Sequence, residues 1–344
     1  MALDPIDLVR RVTRYTLSHP DERDPWEKAP AITGVLAWND AEAVAGVRRW
    51  IDRAVDTQGS DGYLCYPERI ELSHGHVRTF TPTGTLSASI GFPLLDFYER
   101  TREPRYLEAA KLQAEAVLKA PRTRDGGISC RHESNELWVD FIYLMGPFLA
   151  RYGRNGGGQA YIDEAFAQYE IHGRHLIDSF TGLARHAWCE TPNQYPQSTL
   201  WARGNGWLVC AAVDLLDIAP DHPRGGYLKE TCAAALRAMH ALQDRSGFLR
   251  HILDDRFSKF EASATVMYAY AAAKAVERGL VGPELLDGAL RAWKAVALSV
   301  QDDGAVPGVA VPPGGPGVPF GSTLFGQGFF LLATDVLRKP LGVA

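Results

Sequence analysis

Two indoles, a guanidinium and a side-chain amide fall within the seven residues W-A-R-G-N-G-W, Trp201 to Trp207. Indole faces stack on the apolar faces of sugar rings. A guanidinium fork grips a carboxylate through two parallel hydrogen bonds, and the Asn205 amide could orient a hydroxyl. Trp201, Arg203, Asn205 and Trp207 together suit an acidic sugar better than a nucleotide or a peptide, with Gly204 and Gly206 leaving the backbone free to turn. The plainer alternative is two core tryptophans and a surface arginine.

Asp140 lies inside L-W-V-D-F-I-Y-L-M-G-P-F-L, Leu137 to Leu149, with Trp138 two residues ahead. On a helix nearly every neighbour would be apolar. A carboxylate there is costly to ionise and needs a partner or a cleft, which suits a group that gives a proton and takes one back near neutral pH. A buried aspartate that caps a helix or pairs with an arginine is the alternative. R-H-A-W-C-E, Arg185 to Glu190, adds His186 and Trp188 just ahead of the tryptophan run. His186 could donate to a substrate hydroxyl or carboxylate. Nothing identifies a base for Cys189 as a nucleophile. Arg131-His132-Glu133 precedes the Asp140 segment, offering His132 to a ligand and Glu133 as a second carboxylate. His172 and His175 share a helical face without a recognisable third metal ligand. No glycine-rich phosphate cradle is present.

These groups need a scaffold, and the chain carries a degenerate repeat. A small or acidic residue and glycine precede an apolar residue at Asp61-Gly62-Tyr63, Asp125-Gly126-Gly127-Ile128, Thr181-Gly182-Leu183, Ser246-Gly247-Phe248 and Asp303-Gly304-Ala305. Glycine there is expected to end a helix in the left-handed conformation, the apolar residue re-entering the core. The spacing accommodates two helices per repeat. Amphipathic helical patterns cover 39–55, 106–118, 160–177, 206–216, 228–242, 262–278 and 285–300. Strand-like pieces such as Phe248-Leu249-Arg250-His251 flank the marks. Five marks and one lost near the N-terminus give six helical hairpins. Closed on themselves, they form an all-α, (α/α)6 toroid of one domain over 1–344, whose inner helices line a cavity and whose loops build a cleft at one end. A linear solenoid is the alternative. The proline- and glycine-rich run 302–321 excludes a helix or a central strand. It is either a lid over the cleft or an ordered surface loop.

Hydrophobic residues make up 46% and charged residues 22%, as in a soluble globular protein. A net charge of −5 without a basic run excludes nucleic acid and anionic membranes as main partners, and no apolar run spans a bilayer. Cys65, Cys130, Cys189, Cys210 and Cys232 are odd in number and lack C-x-x-C spacing, pointing to a reduced, cytoplasmic protein. The start, M-A-L-D-P-I-D-L-V-R-R-V, reads as amphipathic rather than as a signal peptide. A monomer or homodimer is expected.

L-W-V-D-F-I-Y-L-M-G-P-F-L-A, Y-I-D-E-A from Tyr161, T-G-L-A-R-H-A-W-C-E, W-A-R-G-N-G-W, E-A-S-A-T-V-M-Y-A-Y-A from Glu261 and G-Q-G-F-F-L-L-A from Gly326 follow one another in the chain. In this order they resemble the unsaturated glycuronyl hydrolases of glycoside hydrolase families 88 and 105, the latter more nearly. The resemblance runs from about Trp26 to Leu337 and implies an (α/α)6 barrel. It implies a terminal 4,5-unsaturated uronic acid as substrate, in a small acidic oligosaccharide, without metal or organic cofactor. Asp140 would protonate C4 and help water attack C5. Arg203 and Trp207 would belong to the sugar-binding wall, with His186 and Trp188 nearby. Three positions near the expected cleft depart from the pattern. Ser87 or Ala88 stands where an acid is usual, Cys189 replaces another, and Gln194-Tyr195-Pro196-Gln197-Ser198 replaces a segment of small residues and proline. A divergent enzyme on another glycoside or a non-sugar substrate, and a non-catalytic sugar-binding protein, remain the competing readings.

Overall fold

The structure, a computed structural model, describes residues 3–18, 25–64, 81–312 and 317–343. Among them are twelve α-helices. Six form an inner ring: α2 (Pro25–Trp38), α4 (Gly84–Thr101), α6 (Asp140–Tyr152), α8 (Ala202–Ile218), α10 (Ala262–Glu277) and α12 (Leu324–Val336). Each packs on the next, and α12 closes the ring on α2. The outer helices are α1 (Pro5–Ser18), α3 (Ala41–Asp56), α5 (Pro104–Leu118), α7 (Gln159–Leu176), α9 (Gly225–Ala241) and α11 (Glu284–Ala297). The expected toroid is therefore the observed one, and the closed ring excludes the solenoid. Among the described residues no helix is long and apolar enough to cross a membrane.

Small residues close the ring. A Cβ on Gly34 of α2 would lie 2.5 Å from the carbonyl oxygen of Gly328 on α12, and one on Gly328 would strike the backbone of Pro30. The two backbones meet where side chains are absent. Inner helices are buried around their whole circumference, so they lack an apolar stripe. The periodic pattern accordingly finds the outer helices well and overlooks α2, α4 and α12. It also starts α8 too late, at 206. Trp201 caps α8, so Gly204 and Gly206 are helical rather than turn residues. Their role is close packing: a Cβ would lie 2.7 Å from Val139 at Gly204 and 2.9 Å from Met267 at Gly206.

All five glycine marks lie in the connections from outer to inner helix, and Gly62, Gly126, Gly182, Gly247 and Gly304 have φ between 74° and 96°. They do not terminate the helices directly. Each sits several residues past the helix end in a turn closed by the carbonyl of the residue after the glycine, as in Asp244 N–H to Phe248 C=O at 2.9 Å. Two residues past each glycine, the backbone N–H donates to a polar side chain. Leu64 uses Gln113, Ile128 uses Gln168, Ala184 uses Asn205, Leu249 uses Thr265 and Val306 uses Gln327, at 2.7–2.9 Å. These latches satisfy buried backbone groups where the chain enters the core. The connection lacking a mark, between α1 and α2, falls at 19–24, outside the described residues.

The same connections carry short antiparallel strands. β1 (Glu136–Trp138), β2 (Ala187–Cys189) and β3 (Gln194–Gln197) form one sheet in that order. β4 (Leu249–Arg250) pairs with β5 (Phe260–Glu261), and β6 (Val309–Ala310) with β7 (Phe320–Gly321). Among the described residues of the 302–321 run, β6 and β7 thus pair as a short antiparallel ribbon.

Candidate active site

Asp140 is the first residue of α6, where the helix N-terminus favours a negative charge. It follows β1, whose register with β2 places His186 beside it: the Val139 N–H donates to the His186 carbonyl at 3.0 Å. His186 Nε2 lies 3.1 Å from Asp140 Oδ2, without the alignment of a hydrogen bond. The imidazole is buried between two indoles, Trp138 at 5.4 Å and Trp201 at 4.5 Å between ring centroids. Arg203, the second residue of α8, lays its guanidinium 4.4 Å from the Trp201 ring centre and 4.8 Å from that of Phe325. Sequence-selected Asp140, Trp138, His186, Trp201 and Arg203 thus form one contiguous cluster at the N-terminal end of the inner ring.

Arg203 is buried and already engaged. Its Nη1 donates to the Ala310 carbonyl at 2.6 Å and lies 3.6 Å from Glu261 Oε1. Burial lowers the guanidinium pKa, against the carboxylates of Glu261, Asp140 and Glu27, which raise it. Glu261 caps α10, accepting from Ala264 N–H at 2.5 Å, and also accepts from Ser263 and from Ala310 N–H. The Ala310 peptide is therefore held on both sides, which fastens β6 across the ends of α8 and α10. Phe320 of β7 rests 5.4 Å from the ring of His251. β6 thus lies against Arg203, and β7 against His251, whose carbonyl accepts from the Ala202 N–H at the start of α8.

Polar groups without partners concentrate here. Asp140 Oδ2, both His186 ring nitrogens, Trp201 Nε1 and Arg203 Nε are buried and unpartnered. Native interiors leave few such atoms. Four of the five belong to residues clustered with Asp140, an arrangement open to a polar ligand.

Other sequence candidates are not brought into this cluster. Strand alternation sends Trp188 to the opposite sheet face from Trp138. Trp188 stacks on His175 of the outer helix α7 at 3.8 Å and donates its indole N–H to Asn193. Asn205 is fully buried as the latch on Ala184: Oδ1 accepts from Ala184 N–H, and Nδ2 donates to the carbonyls of Ala184 and Trp201. Its amide orients α8 rather than a hydroxyl. Trp207 is 1% exposed, at 5.0 Å from Tyr143, 5.4 Å from Phe329 and 6.4 Å from Trp26. It forms part of an aromatic floor across the ring. His132 is exposed on the rim, 3.5 Å from the Tyr63 hydroxyl. Burial would raise the Glu133 carboxyl, but hydrogen bonds from Thr81 and Arg131 outweigh it and bring it down to about 2.

His172 and His175 gather no metal, nor do they form a solvated face. His172 is fully buried, its Nδ1–H donating to the Gln168 carbonyl, while His175 Nε2 sits 2.8 Å from Asp125. Among the described residues no group of three potential ligands is arranged to hold a metal ion. The Cys189 thiol donates to the Thr191 carbonyl. Cys65 lies outside the described residues; Cys130, Cys189, Cys210 and Cys232 are free and buried. Ser87 is buried in the first turn of α4, its hydroxyl donating to the Gly84 carbonyl.

No sequence signal singles out Glu261, Tyr143, Trp26 or Phe325. Glutamate is outside the usual helix N-cap set of Ser, Thr, Asp and Asn, so its capping of α10 is not legible in the sequence. The three aromatics looked like any core residue.

Comparison with known proteins agrees with this architecture. Residues 8–339 match Glycosyl Hydrolase Family 88. Over 202 residues the chain is 32% identical to the unsaturated rhamnogalacturonyl hydrolase YesR of Bacillus subtilis, covering 55% of this chain and 58% of that protein. It is 27% identical over 216 residues to the unsaturated 3S-rhamnoglycuronyl hydrolase of Formosa agariphila, covering 59% and 57%. The matches span under three fifths of either relative's length. A crystal structure of a possible family 105 member from Salmonella enterica superposes with a TM-score of 0.84 at 23% identity, over 99% of this chain and 95% of that one; it shares the fold. A ring of six inner helices with its polar cluster at their N-terminal ends, and a family match over nearly its whole length, lead to one statement: the chain belongs to glycosyl hydrolase family 88.

Proposed function

We propose that the protein releases a terminal 4,5-unsaturated uronic acid from lyase-generated acidic oligosaccharides. The observation that carries the reading is the set of five unpartnered polar atoms on Asp140, His186, Trp201 and Arg203. Both curated relatives are named for unsaturated uronyl substrates, which supports the substrate class. In this reading the Asp140 carboxyl gives its proton to C4, water adds at C5, and the carboxylate recovers a proton from that water. The resulting hemiketal opens to a C5 ketone, leaving a hemiacetal at C1 that expels the next sugar. His186, 3.1 Å from Asp140, orients the carboxylate or the water. Trp138 and Trp201 wall the ring, and Arg203 faces its carboxylate. One acid–base group suffices because the displacement never occurs directly at the anomeric carbon.

The four buried free thiols support the cytoplasm as the compartment. Ser87 favours a second reading, a divergent enzyme of the same fold: the first turn of α4 carries no acid, so a different substrate could occupy that side.

The test follows the ultraviolet absorbance of the conjugated uronate on lyase-digested pectin, glycosaminoglycan and ulvan. A decay that Asp140→Asn abolishes is expected. A folded protein that leaves every fragment unchanged would turn the assignment to the divergent enzyme.

A further inference from the structure

The chain entering α8 carries two polar groups, beyond the Trp201 indole N–H counted above, that neither the fold nor the reaction uses. Gln197 Oε1 and Thr199 Oγ1 are buried and without hydrogen-bond partners, as is Trp201 Nε1. The three residues are spaced by two. Pro196 and Ser198 are exposed, Gln197 and Thr199 turn partly inward, and the chain is buried from Leu200 onward. Side chains two apart on an extended chain share a face. Register identifies that face. Gln197 pairs with Ala187, and Ala187 pairs with Trp138, so Gln197 stands in one row with the indole that walls His186. Trp201 marks the inner end of the run, its ring against His186 and its backbone bridged to Ile252. Exposure grows outward, from Trp201 at the cluster to Gln197 toward the surface.

We infer that Thr199 and Gln197, leading outward from Trp201, form a ladder that reads the hydroxyl groups of the sugar on the leaving side of the cleaved bond. Outward from the indole donor it offers a hydroxyl that can donate or accept, then an amide. Neutral groups of this kind match the hydroxyls of a pyranose and none of them would neutralise a charged group. Spanning five residues at about 3.3 Å each, the run is longer than the neighbourhood of Asp140 alone requires. It therefore continues past the terminal uronate. The inference rests on the proposed reaction for the direction in which the substrate lies.

The experiment uses Asp140→Asn protein, in which the substrate persists, titrated calorimetrically with the unsaturated disaccharides from pectate lyase and from rhamnogalacturonan lyase. Adding Thr199→Val should weaken binding of the better disaccharide about ten-fold, one to two hydrogen bonds' worth, and Thr199→Ser should restore it. The melting temperature of Thr199→Val should hold or rise, because the hydroxyl it removes has no partner in the fold. Unchanged affinity, absence of disaccharide binding, or a melting temperature that falls with affinity would each overturn the ladder. The two readings fail separately. Turnover by the native protein with Thr199→Val indifferent removes the ladder alone. A Thr199-dependent affinity without turnover keeps the ladder and removes the reaction.

Discussion

His186 Nε2 stands 3.1 Å from Asp140 Oδ2, yet neither atom completes a hydrogen bond. An imidazole and a carboxylate this close yet misaligned are free to engage a third group that approaches both. Asp140→Asn keeps the volume and removes the proton. Turnover should fall at least 100-fold, within the roughly 10²–10⁴ range of a general acid–base group. Stability should fall by no more than about 1 kcal/mol, the value of a charge at a helix N-terminus. Steady-state kinetics and urea unfolding of the same preparation check both. Full activity in the variant would remove Asp140 from the chemistry.

Glu261 is a structural counterpart to Arg203. Glu261→Ala removes the α10 cap and the Ala310 N–H and Ser263 contacts, and takes from the buried guanidinium the carboxylate it pairs with. A loss on the order of 3–5 kcal/mol is expected, as for a broken buried pair. A change below about 1 kcal/mol in urea unfolding would show that the pair contributes little to the fold.

Arg203→Ala should weaken binding of an unsaturated disaccharide by about 1.5–3 kcal/mol if the guanidinium exchanges Ala310 for a substrate carboxylate. Calorimetry on the Asp140→Asn background measures it, and unchanged affinity would leave Arg203 as a fastener of β6 only.

Asn205→Ala separates a latch from a ligand. It orphans the Ala184 N–H and C=O, both inside the core, at about 1–3 kcal/mol for each unsatisfied group. The folded fraction should retain the native KM. A raised KM with native stability would return Asn205 to the binding wall.

Burial lowers the His172 pKa to about 4, from 6.5 in an exposed chain. Between those values the unfolded chain binds a proton that the folded one refuses. The stability this group contributes is therefore complete above pH 6.5 and is lost as pH falls toward 4. In His172→Leu, urea midpoints measured from pH 7 to pH 4 should decline less steeply than in the native protein. Parallel declines would mean that other groups carry the acid sensitivity.

Much of this was legible without coordinates. Glycine must appear where φ is near 90°, so the turn marks gave the hairpin count, and the outer helices showed their apolar stripes because one face meets solvent. Asp140 stood out because a carboxylate among apolar residues needs a reason, and Trp201 and Arg203 stood out through their chemistry. Only the tertiary structure decided which of the candidates meet. A one-residue step along β2 turns Trp188 away while Trp138 faces the cluster, and no spacing rule reveals which face a short strand buries. Asn205 and a sugar-binding asparagine are identical as letters; the difference is the Ala184 backbone, 21 residues away in sequence. The pairing of Arg203 with Ala310 and Glu261, and the partnerless atoms of Gln197 and Thr199, arise from ring closure, which brings distant segments to one end of the barrel. Local sequence sets the conformation of each segment, but hydrogen-bond satisfaction is settled only when the ring closes.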